Sequence, residues 1–338
     1  MTDQSKIPLP EGEKGRSLFE RADGAFGVFG GFEPAPVPTE LAAPANRRVK
    51  KAAIAREAAA PMGDRARERG PEPAERPGAP QDERTEFMAA PQRIDRARLQ
   101  EQALIVPGGP VTALVEEFRI VKRQLLLAAR ETGPDGVPGA GQRVLVCSPL
   151  PGEGKTFCAT NLALSIAGER DSEVLLVDAD FAKPSIPGLL GLTDGKKAKG
   201  LMDALADPGV RVEDCVLATD VPGLYVLPAG NRTASDSEYL ASSRTAEVLE
   251  RLTCGAPNRM VIFDSPPALA ASPAAELAKY CGQALVICRA DNTGQSALED
   301  ALSLLSACPD IKLLLNSANF SPSGRRFGDY YGYGGQGS

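Results

Sequence analysis

The stretch from Arg143 to Glu169, RVLVCSPLPGEGKTFCATNLALSIAGE, limits the fold more than any other part of the chain. RVLVC is almost continuously apolar, which suits a strand buried on both faces, and such strands belong to parallel sheets covered by helices on either side. KTFCATNLALSIA has the length and composition of a buried helix. Between them, Gly152 and Gly154 permit tight turns that aim amide N–H groups inward at phosphate oxygens, while Lys155 adds a positive charge and Thr156 a hydroxyl for Mg²⁺. The loop matches G-x-x-x-x-G-K-[ST] except at its first glycine, where Pro149 stands. We expect a nucleotide to lie along Pro151, Gly152, Glu153, Gly154, Lys155, Thr156 and Phe157.

Further strands are expected at EVLLVDAD, LYVLPAG, RMVIFDSPP, QALVICRA and IKLLLNSA, separated by helical stretches such as SEYLASSRTAEVLERLT and GQSALEDALSLLSA. Strands alternating with helices predict an α/β fold with a mostly parallel sheet between two helix layers. Ligands of such sheets sit beyond the carboxyl ends of the strands. Two of the predicted strands end there in carboxylates, Asp178 with Asp180 and Asp264, and hard oxygen ligands of this kind suit a Mg²⁺–triphosphate complex. Upstream, VTALVEEFRIVKRQLLLAAR spaces Leu114, Phe118, Val121 and Leu125 as the apolar face of a helix. Glu116, Arg119 and Lys122 form a charged stripe on it.

Composition narrows the function further. The chain contains no histidine, so a carboxylate or a metal must carry any acid–base work. Net charge is −6, which gives no bulk electrostatic footprint for nucleic acid. The seven cysteines contain no C-x-x-C pair, and the chain opens without a secretory pattern, as expected of reduced thiols in a cytoplasmic protein. No run approaches the roughly 20 apolar residues of a membrane helix, so membrane association is expected through a partner. Residues 1–100, with stretches such as APMGDRARERGPEPAERPGAPQDER, bury too little apolar surface to offset ordering entropy and are expected to be mostly disordered. The organised domain is expected over 111–317 and a mobile Gly/Tyr-rich tail over 318–338.

Taken together, LPGEGKT, VLLVDAD and VIFDSPP resemble the Walker A, Walker A′ and Walker B motifs of the bacterial tyrosine kinases of exopolysaccharide and capsule synthesis, relatives of the partition and Min-type ATPases. GLMDAL, LYVLPAG and the terminal FGDYYGYGG follow the same order, and EEFRIVKR looks most like the exosortase-associated subgroup. The resemblance covers roughly Val111 to Gly335. It implies an ATP- and Mg²⁺-dependent tyrosine autokinase, with Lys155 on the phosphates, Thr156, Asp180 and Asp264 around the metal, Asp178 as the proton acceptor and Asn316 against adenine. It also implies a ring-forming role for Glu116, Arg119 and Lys122, a membrane chain-length determinant protein as activator, and a phosphotyrosine phosphatase as antagonist. Lys122 stands where the family has Arg, and Ala182 where it has a basic residue.

Two other readings remain open at this point. A positioning ATPase of the partition or Min type would hydrolyse ATP without making phosphotyrosine, but its signature lysine aligns with Leu150 here. A scaffold that binds nucleotide without catalysis is the third reading. Three of the six tyrosines, Tyr330, Tyr331 and Tyr333, lie within the last nine residues. Fully extended, the path from Asn316 to Tyr330 reaches roughly 50 Å, enough for a neighbouring subunit's site. We expect these three to be the autophosphorylation sites.

Overall fold

A computed structural model describes residues 84–131, 139–192, 198–233 and 235–318, all within one compact unit, Ala74–Ser338. In chain order its elements are α1 (Arg96–Glu101), α2 (Ala113–Glu131), β1 (Arg143–Cys147), α3 (Lys155–Ala167), β2 (Glu173–Asp178), α4 (Ile186–Leu190), α5 (Leu201–Ala206), β3 (Leu217–Ala218) and β4 (Leu224–Leu227). There follow α6 (Asp236–Leu240), α7 (Ser243–Arg251), β5 (Arg259–Asp264), α8 (Pro273–Ala278), β6 (Gln283–Arg289), α9 (Gln295–Leu304) and β7 (Asp310–Asn316). The tail tyrosines, Tyr330, Tyr331 and Tyr333, and residues 1–83 lie outside the described residues.

The strands form one seven-stranded sheet in the order β3-β4-β2-β5-β1-β6-β7. Every neighbouring pair is parallel except β3 with β4. All residues of β1 and β5 are buried, as their unbroken apolar sequence demands. Alternation along β1 sends Val144 and Val146 into one core and Leu145 and Cys147 into the other. The first core is filled by Phe118 and Leu125 of α2 and Cys158, Leu162 and Ile166 of α3. Leu201 and Leu205 of α5, Leu249 of α7, Leu277 of α8 and Ala301 of α9 fill the second. The expected helix after LYVLPAG is two helices, α6 and α7, parted at Ala241 and Ser242. The two-residue β3 left no periodic signal in the sequence.

Two expectations are corrected. The segment from 84 to 110 is not part of a disordered arm and precedes the expected start of the domain at 111: it is a strap bound to the fold. Arg84 pairs with Glu173, and Thr85 exchanges hydrogen bonds with Cys254 O and Arg259 Nη2 at the amino-terminal end of the sheet. Phe87 meets Tyr225 edge-on, with the Arg259 guanidinium 4.1 Å from the Phe87 ring centre. Gln92 then bridges to Thr219 along the β3 edge, Asp220 accepts from Ile94 N and pairs with Arg96, and Ile105 N donates to Asn161 Oδ1 on α3. Ile94, Leu99 and Leu104 are buried in the first core, so the strap supplies the apolar burial that its composition concealed.

Lys122 is the second correction. It is only 5% exposed, donates to Ser165 O at 2.8 Å and pairs with Glu169 at 2.7 Å. Its stem is packed at the edge of the apolar face, so the ammonium is spent on joining α2 to the end of α3 and is not offered to another subunit. Glu116 and Arg119 pair with each other and remain partly exposed.

The strap generates a direct test. Leu99 is fully buried, so Leu99→Ala is expected to lower the unfolding free energy by about 2–5 kcal/mol. Urea unfolding of the full chain measures this, and an unchanged midpoint would show that α1 does not fold with the sheet.

Candidate phosphate-binding site

At the end of β1 the chain turns through Ser148–Gly154 and enters α3 at Lys155. Gly152 and Gly154 have φ of 80° and 96°, a left-handed backbone that side chains resist. At Gly154 a Cβ would also run into Asn316 Nδ2. The close approach is a bond: Asn316 Nδ2 donates to Glu153 O at 2.9 Å, fastening the end of β7 onto the loop. Asn316 is therefore at the loop.

Lys155 Nζ meets Asp180 Oδ2 at 2.8 Å, with both side chains largely buried. Asp180 uses its other oxygen, Oδ1, to accept from Lys183 N at 3.1 Å, so the turn after β2 is closed by the same carboxylate. Lys183, one position after Ala182, meets this turn through its backbone. Asp178 and Asp264 are register partners on β2 and β5. Asp178 Oδ2 accepts from Ser185 N and Ile186 N, at 2.8 and 2.9 Å, at the start of α4. Its Oδ1 is buried without a hydrogen bond, and burial pushes the carboxyl up to about 6 against the pull of the backbone N–H groups of Ile186, Ser185 and Asp180. Asp264 is fully buried beside the Thr156 hydroxyl. Burial raises it to about 7, opposed by the Lys155 charge and by hydrogen bonding from Thr156.

Four of the residues singled out in the sequence, Lys155, Asp178, Asp180 and Asp264, thus gather at the carboxyl ends of β2 and β5 and the start of α3. Thr156 follows Lys155 in the first turn of α3, and Phe157 packs half-buried against the first core. Pro151 and Gly152 are exposed at the loop's outer bend. Sequence reasoning missed the far wall of the loop. Glu153 is 1% exposed and turned inward, with Oε2 accepting from Leu150 N at 2.7 Å and Oε1 from the Thr293 hydroxyl. Arg289 Nη1 lies 3.4 Å from Gly152 O. The only available signal was a basic residue at the end of QALVICRA with a threonine four positions later.

This arrangement matches what is found among known proteins. A family model described as ParA, an NUBPL iron-transfer P-loop NTPase, matches residues 140–215. The putative tyrosine-protein kinase EpsB of Ralstonia nicotianae is 33% identical over 208 residues, 60% of this chain and 25% of that protein. The tyrosine-protein kinase YwqD of Bacillus subtilis is 28% identical over 64% of this chain and 85% of its own length. The kinase domain of the Escherichia coli tyrosine kinase ETK superposes with a TM-score of 0.50 at 24% identity, covering 61% of this chain and 78% of that domain, a likeness of fold. The chain spans about a quarter of the length of the first curated relatives it matches. With the phosphate loop, the paired carboxylates and the strand order in place, the chain is similar over its P-loop region to bacterial tyrosine-protein kinases and to a ParA-type P-loop NTPase model.

Proposed function

We propose that this chain is an ATP-dependent protein-tyrosine autokinase that phosphorylates Tyr330, Tyr331 and Tyr333 of its own tail. The observation that carries this reading is Asp178. Two backbone N–H groups fix one of its oxygens, and the other is buried without a hydrogen bond at the end of β2. A carboxylate held in this way is a better base than an ordinary one, because burial disfavours its charge and favours taking a proton.

Phosphoryl transfer is mostly positioning and charge neutralisation. The loop amides and Lys155 hold the β- and γ-phosphates of ATP. Lys155 leaves Asp180 to do so, exchanging one buried anion for another. A tyrosine phenol, with an unperturbed pKa of about 10, gives its proton to Asp178 Oδ1 as its oxygen bonds to the γ-phosphorus. The bond between that phosphorus and the bridging oxygen breaks, and ADP leaves with the electron pair. Asn316, which bonds the loop at Glu153 O, is assigned to the adenine contact by the family resemblance.

The residues present fit a Mg²⁺ ion. Asp264 holds two buried oxygens, Asp180 is freed as Lys155 turns away, and the Thr156 hydroxyl beside Asp264 is a third ligand group. Among the described residues no three Asp, Glu, Cys or His side chains are arranged to hold a metal by themselves. Phosphate oxygens and water would complete the shell, as Mg²⁺ ordinarily requires. Bound there, it supplies neutralisation of the triphosphate charge.

The family resemblance supplies the wider setting. We infer control of exopolysaccharide or capsule polymerisation and export, a membrane chain-length determinant protein as activator and membrane anchor, a homo-oligomer using Glu116 and Arg119, and a phosphatase that resets the tail. No helix among the described residues is long and apolar enough to cross a membrane.

Incubation with ATP and Mg²⁺, with and without the membrane activator, followed by mapping of phosphate by mass spectrometry, tests the kinase. Label is expected on Tyr330, Tyr331 and Tyr333 and should vanish in Lys155→Met. ATP hydrolysis without tyrosine label in either condition would replace this reading with a positioning ATPase. Asp264→Asn makes a sharper demand. It removes a buried charge whose largest contribution is the cost of desolvation, so the nucleotide-free melting temperature should stay level or rise while phosphorylation falls by about a hundredfold or more. Loss of stability in step with activity would count against a functional role for Asp264.

A further inference from the structure

The turn from Arg289 to Thr293, between β6 and α9, touches the phosphate loop at a point that none of the loop's own motif residues explains. Glu153 is the key. It sits inside a loop meant for polyanions, is 1% exposed, and carries a carboxylate aimed away from the site. Such a group is tolerated only if donors surround it. It has two: Leu150 N from within the loop, and the Thr293 hydroxyl from the far turn.

The direction of the Thr293 bond is fixed by its neighbours. Arg289 N, at 2.8 Å, can only donate to Oγ1, and the Glu153 carboxylate can only accept. The hydroxyl proton therefore points at Glu153. The turn that presents it is tightly specified: Asn292 N and Thr293 N both donate to Arg289 O, and Asp291 takes a left-handed φ of 58°. The turn is also tied to β7, since Ala290 N donates to Asn316 O at 2.9 Å, and Asn316 in turn grips Glu153 O. Glu153 is thus held from both sides, by its side chain and by its carbonyl, through two strands that contribute no residue to the loop.

We propose that Thr293 is a positioning residue for phosphate binding. Acting through Glu153, it sets the bend from Leu150 to Gly154 that turns the loop amides toward the nucleotide. The inference rests on this loop binding a nucleotide, as proposed above, and not on where the phosphoryl group goes.

Replacement by Thr293→Val keeps the shape and removes the hydroxyl, while Thr293→Ser restores the hydroxyl and removes a methyl. Calorimetric titration of the full chain with ADP, alongside nucleotide-free melting curves, separates positioning from packing. Thr293→Val should weaken ADP binding by about ten- to a hundredfold, the range for a lost hydrogen bond to a charged group, and lower the nucleotide-free melting temperature while leaving the chain folded at the temperature of titration, because the buried Glu153 loses one donor. With ATP as substrate, KM should rise more than kcat falls. Thr293→Ser should recover most of the affinity. If Thr293→Val binds ADP as tightly as the unmodified chain, or if Ser fails to restore what Val loses, the proposal is overturned. Unmodified protein that binds ADP but labels no tyrosine would remove the kinase reading and leave this inference standing.

Discussion

Strand β1 has no solvent side. All five of its residues are buried, so it must be covered above and below, and the polar backbone can come free only where the strand ends. The two helix layers, the central position of β1 between β5 and β6, and the placing of the glycine loop at its carboxyl end follow from that one requirement. The neighbours obey it as well: β5 and most of β2 are equally sealed, and their carboxyl ends deliver Asp264 and Asp178 to the same rim.

The charges at this rim are poorly matched to each other. Lys155 satisfies Asp180, leaving Asp264 deeply buried with the Thr156 hydroxyl beside it and Asp178 with one oxygen unpaired. In a low-dielectric setting such groups oppose the folded state, and the helices around them hold them in place regardless. A ligand with both negative phosphates and a positive ion relieves every member at once. In the proposed reading the triphosphate would take the lysine, and the cation would take the carboxylates. The unmatched charges of the rim fit that pair of ligands.

Much of this was legible before any coordinates. The strands could be read because buried parallel strands leave unbroken apolar runs, and the loop could be read because Gly152 and Gly154 mark left-handed backbone. Asp178, Asp180 and Asp264 announced themselves by ending such runs. The strap did not, because Ile94, Leu99 and Leu104 follow no period and find their partners on α3, α4 and the β3 edge, far away in sequence. Lys122 was misplaced for a related reason: helical spacing gives its angle on α2, but not that the end of α3 lies within reach of its ammonium. Thr293 was invisible because one hydroxyl in a turn gains meaning only from the buried carboxylate it faces.

The strap also decides where a pull on the amino-terminal region would act. Force applied ahead of residue 84 would first load Arg84 and Thr85, whose partners Glu173, Arg259 and Cys254 sit at or beside the foot of β2 and β5. Those are the strands whose opposite ends carry Asp178 and Asp264. A partner that tugs on or anchors that region would address the carboxylate rim along the length of two central strands, with α2 and its surface charges bypassed.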